Sequence, residues 1–216
     1  MEIVVPFDIK NFIEQEISRS IRRQIVPLIR TAYELVDLAL EDVSFFQWAL
    51  GKNHIGYLDN IAVQYTIYEA IKTGKLINLN AEVMPNVNRS SYHVEVKTTN
   101  TVLTINRVKS KNNTARSAKY RNILQKENQL YWNMDTQELR EEPGYLQLTH
   151  NSVDRKLDFV MLGVPDGKGK WISCIDLVKE PHLITKSEDG NNITKEQLVR
   201  FKNFAQGVQE NGGKNQ

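Results

Sequence analysis

The chain has 216 residues, 40% hydrophobic and 25% charged, the balance of an ordinary globular protein and not of a disordered, collagen-like or disulfide-stapled one. No window approaches the ~18 apolar residues of a membrane span, and the start MEIVVPFDIK carries an acid at position 2 and only a short apolar run, so neither a membrane helix nor an export signal is expected. The single Cys174 excludes an internal disulfide, the scattered His54, His93, His150 and His182 show no zinc-ligand pairing, and a cytoplasmic setting with an inert, buried thiol is the expectation.

Asp8 suits an N-cap. After it Phe12, Ile13, Ile17, Ile21, Ile25, Leu28 and Ile29 recur at steps of three and four, an amphipathic helical stripe. Pro27 lacks an N–H and is expected to kink or split this stretch. The stripe continues through Tyr33, Val36, Leu40 and Val43 to Trp48, with Gly51 as a stop. It also offers a surface for a homodimer. A further helix is predicted over 59–72, with Ile61, Tyr65, Tyr68 and Ile71 on one face and Gly74 as its C′ glycine.

The period then changes from helix to strand. Residues 76–84 read as a strand, and 91–98 and 101–108 as a hairpin with its tip at Thr99–Asn100. That tip pairs Val94 with Ile105 and Val96 with Leu103. It sets His93 opposite Asn106, Glu95 opposite Thr104 and Lys97 opposite Val102. His93, Glu95, Lys97, Thr104 and Asn106 then share one face, which is either solvated or functional.

A polar loop, KSKNNT, follows, and Asn113 or Thr114 caps a helix running to about Met134. Its apolar arc is Tyr120, Ile123, Leu124, Leu130, Tyr131 and Met134. An acidic connection over 135–143 leads to strands at 145–149, 157–164 and 170–178. Pro165-Asp166-Gly167 makes a hairpin of the last two, and the run Gly163 to Lys170 is a turn and not a phosphate loop. A last helix is predicted over 195–208, with Leu198, Phe201 and Ala205 on one side. The order predicts an α+β fold: an N-terminal helical layer (1–55) packed on a mixed or antiparallel sheet with a central basic helix (the body, 56–210), then a flexible tail (211–216), a single domain overall.

Charge is unevenly spread. From Val96 to Lys126 there is no acid, and Lys97, Arg107, Lys109, Lys111, Arg116, Lys119, Arg121 and Lys126 contribute +8 to a chain of net +2, leaving −6 elsewhere. Such a segment suits a polyanion. Lys97, Arg107, Lys109, Lys111, Arg116, Lys119 and Arg121 are the expected phosphate contacts, helped by a helix N-terminus and by Tyr120 as a stacking ring. The bland alternative is that Glu138, Glu141 and Glu142 pair with these cations inside the fold.

Glu95-Val96-Lys97 forms an E-x-K at the end of an apolar strand, preceded by a helix carrying Glu69 and followed by a basic helix. Over roughly 60–165 this order resembles the α-β-β-β-α-β core of the PD-(D/E)XK nuclease superfamily. The resemblance implies Glu95 as a ligand of a divalent metal such as Mg²⁺, Lys97 as the catalytic lysine, and Glu69 in support. Where that family has Pro-Asp this chain has Pro85-Asn86, and Asn binds a hard cation poorly, so Glu82 is the nearby substitute ligand. The expected function is nucleic-acid binding through residues 97–126 without demonstrable catalysis and without a cofactor. The alternatives are a protein-interaction module (inhibitor, immunity or regulatory protein) and a metal-dependent nuclease.

Overall fold

The computed structural model describes residues 8–126, 128, 131–133, 138–140, 144–183 and 199. Helix α1 (Ile9–Glu16) starts at Asp8, whose Oδ1 accepts from the N–H groups of Lys10 and Asn11, both at 3.1 Å. These bonds satisfy donors that a helix start leaves without internal partners. The chain breaks at Ile17–Ser18, and α2 (Arg19–Asp42) then runs unbroken through Pro27. Proline removes the bond to the carbonyl four residues back. That carbonyl, of Arg23, instead accepts from Leu183 N at 3.0 Å, so the split expected at Pro27 does not occur.

Short helices α3 (Ser44–Gln47) and α4 (Ala49–Lys52) lead into α5 (Ile55–Lys72). Its inward face is Ala62, Val63, Thr66, Ile67 and Ala70, with Ile71 beside them, while Ile61 is exposed. Gly74, at φ +75°, turns the chain so that Leu76 N returns to Ala70 O. The stripe from Ile13 to Val36 is buried in the chain's own core. On the helices that follow it, Phe45, Trp48, Leu50, Tyr57 and Ile61 are exposed.

Six strands form one sheet in the order β1-β2-β3-β6-β7-β8: Asn80–Pro85, Tyr92–Lys97, Val102–Arg107, Tyr145–Val153, Lys156–Pro165 and Trp171–Asp176. Neighbours are antiparallel except β3 and β6, which are parallel and so need a crossover. The crossover holds α6 (Lys119–Lys126) and a two-stranded ribbon of β4 (Tyr131–Asn133) and β5 (Glu138–Arg140).

The basic helix is therefore shorter than the one expected from 113 or 114 to 134. Residues 113–118 instead run as a non-helical segment tied to the β7–β8 turn and the sheet, with Thr114 N donating to Gly169 O at 3.1 Å and Ala115 N to Gln147 Oε1 at 2.8 Å. At the far end 131–133 pairs as a strand, and the connection expected over 135–143 contains a strand of its own. The tail 211–216 and the side chains of Glu138, Glu141 and Glu142 lie outside the described residues. So does the helix over 195–208, apart from a helical Val199.

The fold is α+β, with the N-terminal helices against the sheet. One hydrophobic cluster joins α1, α2 and α5 to Ala81, Val94, Val96, Leu103, Ile105, Leu146, Leu148, Val160, Leu162, Val164 and Ile175. Burying each such aliphatic side chain is worth about 1.5–3 kcal/mol.

Candidate functional site

Side chains alternate across a strand, so the residues between the core positions face the other way. Cross-strand pairing lines up Glu82 with Glu95, Glu95 with Thr104, Thr104 with Gln147 and Asn106 with Thr149. The sheet face away from α1, α2 and α5 thus gathers polar residues: Glu82, His93, Glu95, Lys97, Thr104, Asn106, Tyr145, Gln147 and Thr149. It is not solvated. His93, Thr104, Asn106, Gln147 and Thr149 are all buried, because the crossover runs over them.

The anticipated register holds at Glu95–Thr104, Val96–Leu103 and Lys97–Val102 and then stops. Beyond it the amide of Gln64, from α5, sits between the strands. Its Nε2 donates to Ile105 O at 3.2 Å and its Oε1 accepts from Val94 N at 3.1 Å. The expected pairs Val94–Ile105 and His93–Asn106 are therefore not made directly. On the polar face this same place is covered by α6.

The ring of Tyr120 stacks on His93 with centroids 3.7 Å apart and planes 22° apart. Arg121 donates from Nη1 to Asn106 Oδ1 at 2.8 Å and to the Tyr120 hydroxyl, and from Nε to Arg116 O at 2.9 Å. Beneath them Asn106 donates to Thr104 Oγ1 at 3.1 Å, the hydroxyls of Thr104 and Tyr145 lie 2.7 Å apart, and Gln147 Nε2 donates to the Tyr145 hydroxyl at 3.1 Å. Burial pushes the Tyr145 hydroxyl up to about 12 and also raises Tyr120, so both hydroxyls stay protonated. His93 Nε2 lies 3.0 Å from Glu95 Oε1.

The predicted contacts divide into two sets. Lys97 Nζ lies 2.7 Å from Glu82 Oε2; the bond holds Glu82 below and Lys97 above their ordinary values, and both side chains remain more than a third exposed. Arg121 is half-buried in the network above. Arg107 follows Ile105 onto the helix side of the sheet and faces the buried carboxylate of Asp59, with Nε 3.6 Å from Oδ2. Lys109, Lys111, Arg116, Lys119 and Lys126 are exposed, and none is paired with a carboxylate among the described residues.

Two further exposed cations, Lys168 and Lys170, join them from the β7–β8 turn, which Asp166 shapes by accepting from Lys168 N at 2.7 Å and Lys170 N at 2.8 Å. The turn is tied to the loop by Thr114 N to Gly169 O at 3.1 Å, Lys170 Nζ to Asn113 Oδ1 at 2.8 Å and Trp171 Nε1 to Lys111 O at 2.9 Å. Reading the Gly-rich run as a hairpin turn is correct, but its lysines belong with the basic segment, and only the fold brings the two together.

A second charged cluster was not legible in the sequence. Arg155 donates to both oxygens of Asp59 at 2.9 and 3.0 Å, to Asp37 Oδ1 at 2.5 Å and to Tyr33 O at 3.2 Å. It stands in a tight turn where Asp154 and Arg155 both have positive φ, +49° and +63°. Such backbone normally needs Asn, Asp or Gly. Arg107 packs so close to α5 that a Cβ on Gly56 would lie 2.3 Å from its Nη1. Next to this cluster the fully buried His150 has Nδ1 2.9 Å from the Tyr33 hydroxyl. Burial, with the charge of Arg107 adding, lowers His150 to about 3.

For metal binding, Glu82 and Glu95 face each other across β1 and β2, with Lys97 beside them. Glu69 lies on α5, which packs against the opposite face. Among the described residues no group of three or more His, Cys, Asp or Glu is placed to hold a metal ion, and no helix is long and apolar enough to cross a membrane. Cys174 is half-buried on β8, and burial raises its thiol. No family model, curated protein or solved structure matches this chain.

Proposed function

We propose that the protein binds the phosphate backbone of nucleic acid through the crossover and the β7–β8 turn, without cutting it. The observation that carries the reading is the exposed, acid-free set Lys109, Lys111, Arg116, Lys119 and Lys126, extended by Lys168 and Lys170 where the turn is hydrogen-bonded to the loop. Long flexible cations with no carboxylate partner among the described residues suit phosphate contacts that carry no sequence information. Lys97, Arg107 and Arg121 do not belong to this resting surface, because each already has an internal partner.

The test is anisotropy of a labelled DNA duplex, or of a labelled single-stranded RNA, titrated at low salt. The double variant Lys109→Glu/Lys111→Glu is expected to weaken binding at least about tenfold, since each lost phosphate contact near physiological salt costs a sizeable part of a log unit. Equal affinity in variant and wild type overturns the reading. A second reading, divalent-metal hydrolysis at Glu82 and Glu95, rests on the cross-strand pairing of those two acids beside Lys97. Plasmid nicking in Mg²⁺ that disappears in Glu95→Gln would favour it over binding alone.

A further inference from the structure

We propose that α6 is a strap, held shut over the polar face of the sheet by Tyr120 on His93 and Arg121 on Asn106, and opened when a nucleic-acid phosphate takes Arg121 from Asn106. This rests on the cationic surface just described and names a conformational response of that surface.

Three observations lead to it. First, α6 has no fully buried residue, and its Ile123 is exposed with Lys119 and Lys126 on the same helical face. Its own ties to the sheet are the flat stack of Tyr120 on His93 and the bond of Arg121 to Asn106, while just past its end Asn128 is fixed to the Tyr145 backbone by bonds of 2.9 and 2.7 Å, a point about which the helix can swing. Second, what it covers is polar as well. Among the described residues, His93 Nδ1, in the ring under Tyr120, and Thr149 Oγ1, on the residue paired with Asn106, are buried with no hydrogen-bond partner. Buried unpartnered atoms favour a state in which water or a ligand reaches them. Third, β2 and β3 are already parted here, with Gln64 supplying the missing backbone partners from the helix side. Lifting α6 therefore costs no strand–strand bond between Val94 and Ile105.

The ligand supplies the direction. A ligand shifts a conformational equilibrium only through different affinities for the two states. In the closed state Arg121 is spent on Asn106, the Tyr120 hydroxyl and Arg116 O. In the open state its guanidinium adds one phosphate contact to those of Arg116 and Lys119. The open state thus binds a polyanion more tightly.

The experiment labels histidines with diethyl pyrocarbonate, maps them by mass spectrometry, and repeats this with saturating DNA duplex followed by anisotropy. Labelling of His93 is expected to rise about tenfold or more with duplex, as for a state of ~1–10% population that becomes the main one. Tyr120→Ala is expected to label His93 fast without duplex, and Tyr120→Phe, which keeps the stacked ring, slowly. His150, buried in the core, stays slow throughout and reports that each variant is folded. Saturation by duplex with unchanged or slower His93 labelling overturns the strap while leaving the binding reading intact. Absence of anisotropy change overturns both.

Discussion

Asn106 and Arg107 are neighbours in the chain and end on opposite faces of the sheet. Asn106 meets Arg121 under the crossover, and Arg107 meets Asp59 beneath the helices. Strand alternation already puts Arg107 with Ile105, on the face its apolar neighbours choose. The existence of Asp59 as a partner 48 residues away in sequence was not legible, because nothing in helix periodicity distinguishes it from a solvated helix-start acid. His150 shows the same dependence on context, and it has a pH consequence. In the unfolded chain its pKa is near 6.5; in the fold it is about 3, so below pH 6.5 the unfolded state binds the extra proton. The stability contributed by neutral His150 is complete above pH 6.5 and is lost as pH falls toward 3, at up to about 1.4 kcal/mol per pH unit. Urea unfolding from pH 7 to 4 should show this slope, and His150→Asn should reduce it.

At the scale of elements, caps and turns were the most legible features, because their chemistry is local. The Asp8 cap, the Gly74 stop, the Thr99–Asn100 tip and the hairpin after Pro165 all depend on residues within a few positions of one another. Asp8→Ala is expected to cost about 1 kcal/mol, read as a lower thermal midpoint, since two N–H groups of α1 lose their acceptor. Two elements defied local reasoning for one physical cause. Pro27 does not break α2, where Leu183 N serves the carbonyl of Arg23 that proline leaves free, and the basic helix does not start at 113 or 114, where bonds to Gly169 and Gln147 hold the chain on a non-helical path across the sheet. In both places a distant residue hydrogen-bonds the backbone, which rules applied within the segment do not count.

At the scale of the whole molecule the +8 segment is not one surface. Three of its cations face inward or pair, five stay exposed, and the β7–β8 turn brings two more beside them. Affinity for duplex should fall linearly on a log–log plot against salt, by about 0.9 per phosphate neutralised, and Lys109→Glu/Lys111→Glu should reduce that slope by about 1.8. A salt-independent affinity would mean that these lysines do not carry the binding.

Sequence by itself determined the α+β class, the helical stripe, the strand faces and the register at the hairpin tip. Each follows from apolar periods of 3.6 or 2 and from turn residues, which act over a few positions. Only the tertiary structure decided which cations remain exposed, that the polar sheet face lies under α6, and that Asp59, Arg107 and Arg155 meet. Those outcomes depend on where the parallel β3–β6 connection crosses the sheet. That path is set by hydrogen bonds and packing between residues dozens of positions apart, about which local pattern is silent.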